Sequence, residues 1–415
     1  MALPVTDLRA RLASLPGLDT LLPVVGGLDW PSYLVGGAVR DLLLGEGSVD
    51  LDIAVEGDAP TAARALAARL GGTALKHERF GTATVRAGSL TADLATTRRE
   101  VYDRPGALPR VEPAPLHEDL GRRDFTVNAM AVALTGEELG RLHDPHGGTV
   151  DLGARWIRVL HQASFVDDPT RLLRALRYEA RLAFVLHPDS ERLAREAAAG
   201  GALLTVSGNR IRVELEALLA EPEAPGAVAR LAQLGLDRAL HPALTADPQL
   251  VASAQLGAVQ TGASPVLSAL AALCIGASSE EQRQGLERWV TGLGLPAPAR
   301  EAVLRATRRA RALADQLASP LRPSQLHESL TGEPAETLAL ALALGAPAEP
   351  VLHYLTALRP ARLEITGADL VAAGIPESPL LGRALRETLR RKLDGELCGR
   401  EEELRTALLL AREAR

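Results

Sequence analysis

The feature that most narrows what this chain can fold into is residues 36–52, GGAVRDLLLGEGSVDLD. Tyr33, Leu34 and Val35 read as a short apolar strand, and Gly36 and Gly37 then remove both β-carbons at a turn. Backbone amides there can approach a ligand closely. A helix is expected to start near Ala38, with Arg40 in its first turn. Amide N–H groups, the helix dipole and a guanidinium converge at such a point, which suits a phosphate. The next strand is read at 49–55. Side chains alternate along a strand, so Asp50 and Asp52 share one face about 7 Å apart, while Leu51 and Ile53 face a core. Two carboxylates beside a phosphate cradle match the needs of Mg2+, a hard cation that takes carboxylates plus phosphate oxygens.

The segments that follow extend this into a small mixed α/β domain. Residues 59–70 form an alanine-rich helix stopped by Gly71 and Gly72, and 81–85 and 90–95 are short β-type runs. Asp93 lies in the second run and is a candidate third carboxylate, to deprotonate a hydroxyl or hold a metal. Residues 96–117 hold four prolines without periodicity and are expected to be a long loop. In 121–134, GRRDFTVNAMAVAL, Arg122 and Arg123 are expected to open a helix. There Arg122, Arg123 and Asn128 can meet phosphate, ribose or base. His143 and His146 flank Asp144–Pro145, which reads as a Gly-rich turn into a short strand and not as a metal site.

After Trp156 the β signal fades and the pattern becomes helical. Asp167, Asp168 and Pro169 start a helix on which Arg171, Arg174 and Arg177 recur every three residues. Planar guanidinium donors beside carboxylate acceptors can mimic the edge of a base. Another helix begins at 208–219, and Ala/Leu-rich helices broken by Gly and Pro fill the remainder, without a fixed repeat. A chain of 415 residues is too long for one core. The net charge of −6 argues mildly against nucleic acid, but arginine clusters at 305–311 and 386–391 leave local positive surface. There is no membrane span, and two cysteines form neither a disulfide framework nor a zinc site. The N-terminus reads as a helix capped by Thr6 or Asp7, not as a signal peptide, so the expected setting is cytoplasmic.

LVGGAVRDLLLG with VDLDIAV, then RRDFTVNAMA, DDPTRLLRALRY and RIRVELEALL, occur in that order across 31–220. Together they resemble the class II tRNA nucleotidyltransferases (CCA-adding enzymes) and their bacterial poly(A) polymerase relatives. The segment 365–396 is similar to the family's C-terminal region. The resemblance implies an α/β, polymerase-β-like head at 1–155, followed by an all-α neck (156–222), body (223–345) and tRNA-binding tail (346–415). It implies Asp50 and Asp52 as Mg2+ ligands. It places Gly37 and Arg40 on the nucleotide triphosphate and Arg123 at the nucleotide, beside Gly36 and Asn128 as read above. Asp168 and Arg171 would pair with the Watson–Crick edge of CTP or ATP, and Arg174 and Arg177 would support them or hold phosphates. The partners implied are CTP, ATP and the tRNA 3′ end, with no obligate protein partner. Asp167 departs from the glutamate frequent in the family. Addition of only CC, only A, or poly(A) is a competing reading, as is a non-catalytic tRNA-binding protein. The full-length 96–117 segment favours CCA or A addition, and both paired aspartates favour an enzyme.

Overall fold

The computed structural model describes residues 8–46, 51–77 and 81–413. It divides into two compact units, 1–242 and 243–415.

Among the described residues the first unit has eleven strands: β1 (Ser32–Val35), β2 (Leu51–Val55), β3 (Thr73–His77), β4 (Thr82–Ala87), β5 (Leu90–Thr96), β6 (Arg98–Val101), β7 (Arg110–Pro113), β8 (Ala131–Ala133), β9 (Leu142–His143), and a short pair, β10 (Trp156–Ile157) and β11 (Val185–Leu186). Seven form one sheet in the order β3-β4-β5-β2-β1-β8-β9. Within this sheet β2 and β5 run parallel and the other described pairings are antiparallel. The helix Ala59–Leu70 supplies the crossover that a parallel pair requires. Asp58 caps it through Thr61 N, and Ala59, Ala62, Ala63 and Leu66 are wholly buried. With Leu51, Ile53, Ala83, Val85, Ala92 and Leu94 buried, one sheet face is core; the other is open where it carries Asp52 and Asp93, and beside them Val35, Ala54 and Ala131 pack against Leu116 and Leu120.

The glycine turn folds as read. Gly36 has φ +72°, a backbone conformation that favours glycine, and the helix Gly37–Leu44 follows directly. Elsewhere the chain departs from the sequence reading. Residues 96–117 are not one long loop, because β6 and β7 pair within them as a separate two-stranded sheet. Arg99 faces Glu112 across it, and Pro113 sits at the end of an edge strand, where its missing N–H costs nothing. Arg122 and Arg123 do not open a helix. They end one, Leu116–Gly121, because Asp124 turns its carboxylate onto Phe125 N and draws the chain into an extended residue and a short 3-10 turn, Thr126–Asn128. Residues 143–152 lead into a short helix, Gly148–Ala154, before any strand; Asp144 accepts from Gly148 N and Thr149 N and so begins it. Asp50 and the expected cap at Thr6 or Asp7 lie outside the described residues.

Two helices complete the site in this unit. Thr170–Leu182 buries Leu172, Leu173 and Leu176, and Gly208–Leu219 buries Ile211, Leu215 and Leu218. The second unit is helical throughout its described elements, including Pro248–Thr261, Ala297–Leu317 and Pro379–Leu393. Its C-terminal part has its own core of Ile365, Leu370, Ile375, Leu381, Ala384, Ala407 and Ala411. No described helix is long and apolar enough to cross a membrane.

Candidate active site

The parallel pairing of β2 and β5 puts Asp52 directly opposite Asp93, and both are exposed on the open face. Side chains of register partners share a face, so two carboxylates with hard oxygen donors stand side by side. Thr84, the partner of Asp93 on β4, donates its hydroxyl to Asp93 Oδ1 at 2.5 Å. His77 Nε2 lies 3.1 Å from the same Thr84 oxygen. Among the described residues no three His, Cys, Asp or Glu side chains converge as a metal cage. Asp52 and Asp93 still fit a divalent ion, since Mg2+ is usually held by one or two carboxylates plus substrate phosphates.

Asp52 borders two cavities. One, of about 310 Å³, is lined by Gly36, Gly37, Asp52, Arg122, Arg123, Asp124, Asn128, Asp168, Arg171 and Arg174, with Glu100, Tyr102 and Tyr178. A β-carbon on Gly36 would come within 3.1 Å of Arg123 Nη1 and 3.7 Å of Asp52 Oδ2, so the glycine turn, the arginine and the carboxylate meet at one edge. Arg123 Nη2 donates to Asp119 Oδ2 at 3.0 Å, while its Nε is buried without a partner among the described residues. Asp119, 1% exposed, also takes Nε and Nη2 of Arg122 and the amide of Arg98. Burial pushes the Asp119 carboxyl up, but the charges of Arg123 and Arg122 outweigh it and hold it below the usual range. Asp119 therefore stays ionised and fixes both arginines.

The other wall comes from the arginine helix Thr170–Leu182. Arg171 Nη1 donates to Ser164 Oγ and Nη2 to the Arg122 carbonyl, each at 2.6 Å. Asp168 Oδ1 accepts from Thr170 N and from Arg210 Nη2, while Oδ2 makes no hydrogen bond among the described residues. Arg174 donates Nε and Nη2 to Asp124 Oδ2 at 3.0 and 2.6 Å. Burial raises the Asp124 carboxyl, yet Arg174 and the Asn128 amide overcome this and keep it low. Arg174 is correspondingly raised despite its own burial, chiefly by Asp124. The hairpin contributes Glu100, which accepts from Arg122 Nη1 and the Tyr102 hydroxyl. Its turn meets the same wall: Gly106 N donates to the Asp167 carbonyl, and Arg210 Nη1 donates to the Gly106 carbonyl.

The structure thus gathers Gly36, Gly37, Asp52, Arg123, Asn128, Asp168, Arg171 and Arg174 around one cavity, with Asp93 adjoining. Two residues read as nucleotide contacts do not line it. Arg40 is 5% exposed and committed to Asp41 and Asn128 Oδ1. Arg177 faces Glu214 at 3.0 Å. Both guanidinium groups lie over the Tyr178 ring, at 5.5 and 5.6 Å from its centroid, and so brace the wall from behind. Asp119, Glu100, Tyr102 and Thr84 escaped the sequence reading. Asp119 alone left a signal, standing three and four residues before the arginine pair on one helical turn.

Comparison with known proteins agrees with this geometry. Residues 32–158 match the poly A polymerase head domain family. The chain is 36% identical to an A-adding tRNA nucleotidyltransferase of Geobacter sulfurreducens over 93% of its length, spanning 46% of that protein. It is 36% identical to a CC-adding tRNA nucleotidyltransferase of Deinococcus radiodurans, covering 92% of this chain and 90% of that one. A solved CCA-adding enzyme in an apo form superposes with a TM-score of 0.85 at 33% identity over 98% of this chain and 100% of that one. The Thermotoga maritima CCA-adding enzyme complexed with tRNA gives 0.79 at 30% identity over 98% and 99%. With an α/β head followed by helices, and a relative above 30% identity matched over most of its length, the chain belongs to the tRNA nucleotidyltransferase family.

Proposed function

We propose that the chain adds CCA to the 3′ end of tRNA from CTP and ATP, without a nucleic-acid template. The observation that carries this is the position of Asp52 between two cavities, one of them walled by the arginine helix. In this reading the Gly36–Gly37 amides and Arg123 hold the triphosphate, and Asp168 Oδ2 with Arg171 meets the edge of the base. Arg171 is held rigid by Ser164 and the Arg122 carbonyl, so a wrong base cannot recruit a different donor geometry at low cost. Asp52 and Asp93, with Asp50, would hold Mg2+, which supplies charge neutralisation at the phosphates when bound. Asp93, fixed by Thr84, accepts the proton of the attacking 3′ hydroxyl. The new bond forms between that oxygen and the α-phosphorus, the bond to the β-phosphate breaks, and pyrophosphate leaves.

The head at 1–155, neck at 156–222, body at 223–345 and tail at 346–415 follow from the same reading, with the helical parts holding tRNA by shape and phosphate contacts. A cytoplasmic setting goes with it. A second reading, addition of only CC or only A, draws on relatives named for each half reaction. The ordered β6–β7 hairpin, bonded at Gly106 to the arginine-helix wall, favours a site that handles the final A. The test is incorporation of labelled CTP and ATP into tRNA by the wild-type chain and by Asp52→Ala. Incorporation by the wild type alone supports the proposal; equal incorporation by both contradicts the site.

A further inference from the structure

The second cavity at Asp52, about 430 Å³, shares Asp52, Arg122 and Arg123 with the first but opens over β4 and β3. Its floor is Asp93, Thr82, Thr84 and His77. The cross-strand register sets a single row, Asp52–Asp93–Thr84–Leu75, on the open face. Three inter-strand steps make this row about 14 Å long. Its far end is unusual. Leu75 is 59% exposed at the edge strand of the sheet, where its same-face neighbours on β3 and β4, Thr73, His77, Thr82, Thr84 and Arg86, are all polar. His77 and Arg86 flank it on the same face, and the Arg86 guanidinium, exposed, makes no ion pair among the described residues. Packing does not account for these three, because the helix Ala59–Leu70 covers the opposite face.

We infer that the open face of β3 and β4 is the seat of the single-stranded 3′-terminal nucleotides of the RNA acceptor, with Leu75 under a base and Arg86 at a backbone phosphate. This rests on the function proposed above and names the side chains that receive its second substrate. Continuity decides the occupant. The row begins at the carboxylates, so whatever lies along it delivers its end to Asp93. A strand carrying one negative charge per nucleotide, with apolar base faces, matches an exposed cation beside an exposed leucine. Thr84 connects the two ends: one hydroxyl bonds Asp93 and lies within reach of His77, so the floor under the terminal ribose is held as one piece.

The experiment measures binding of a short fluorescent RNA ending in ACC to the full chain without nucleotide, for wild type, Leu75→Ala, Arg86→Ala and the double variant. Each is first checked by circular dichroism, and each KM for tRNA and for CTP is then determined. The expected result is roughly fivefold to tenfold weaker RNA binding for each single variant, a matching rise in the KM for tRNA, and a CTP KM within about twofold of wild type. The Arg86→Ala loss should shrink at high salt while the Leu75→Ala loss persists. RNA binding equal to wild type in the double variant overturns the inference, as does an equal rise in both KM values. Wild-type failure to add nucleotides would defeat the proposed function instead, and the RNA-binding comparison, which needs no turnover, would still decide this one.

Discussion

Asp52 and Asp93 are register partners on parallel strands, 41 positions apart in sequence and side by side on the open face. Asp52 is exposed, so its removal costs little packing. Asp52→Ala is expected to lower nucleotide transfer by on the order of 10³-fold or more, with an unchanged melting temperature. Turnover near wild type would refute its place in the site.

Asp93 is held by a neighbour. Thr84→Val keeps the shape of the side chain and removes the hydroxyl that donates to Asp93. The expected effect is a fall in kcat of about tenfold with little change in the KM for CTP, measured by steady-state kinetics. A change in the nucleotide KM alone would show that Thr84 acts elsewhere.

Base choice lies with the arginine helix. Arg171→Ala should reduce discrimination of CTP and ATP against UTP and GTP by about 10- to 100-fold, more than it weakens triphosphate binding. Competition assays with all four nucleotides read this directly, and unchanged discrimination would remove Arg171 from the selecting wall.

Acid should uncouple the walls. Asp119 and Asp124 are both held below their ordinary carboxyl values by neighbouring arginines. Their stabilisation is complete above the unfolded value, about 3.9, and is lost as pH falls from there through the lower folded value. Asp124→Asn should cost about 3 kcal/mol at neutral pH and flatten the loss of stability below pH 4. Denaturant titrations at pH 7, 5 and 3 measure both.

Gly106 has φ +70°, and a β-carbon there would fall 2.1 Å from Thr205 Oγ1 and 2.8 Å from the Thr205 carbonyl. Gly106→Ala should therefore detach the hairpin turn from Arg210 and Asp167, at a cost of about 1–3 kcal/mol in local stability. Faster amide exchange in 102–109, with altered ATP use, is the expected observation; exchange unchanged from wild type would contradict it.

What the sequence showed of this site was what is local. The glycine turn, its helix and the alternation around Asp52 follow from neighbours a few residues apart. The β6–β7 hairpin stayed hidden because Arg99 and Glu112, and not an apolar stripe, mark its pairing. The arginine pair read as a helix start because its terminator is a side-chain bond from Asp124 to the next amide, which helical periodicity does not encode. Arg177 read as a ligand contact because its partner, Glu214, lies on a different helix 37 residues away. Registers and distant ion pairs are tertiary facts, and both of these sat where the local pattern left a choice open.

The most direct test uses three tRNA transcripts, ending at the discriminator base, at C and at CC, each given CTP, ATP or both with Mg2+ and resolved to single nucleotides. The account predicts growth of the first to CCA and no further, with CTP alone giving CC and ATP alone acting only on the CC-ended tRNA. Long A tracts, or no addition to any of the three, would contradict it.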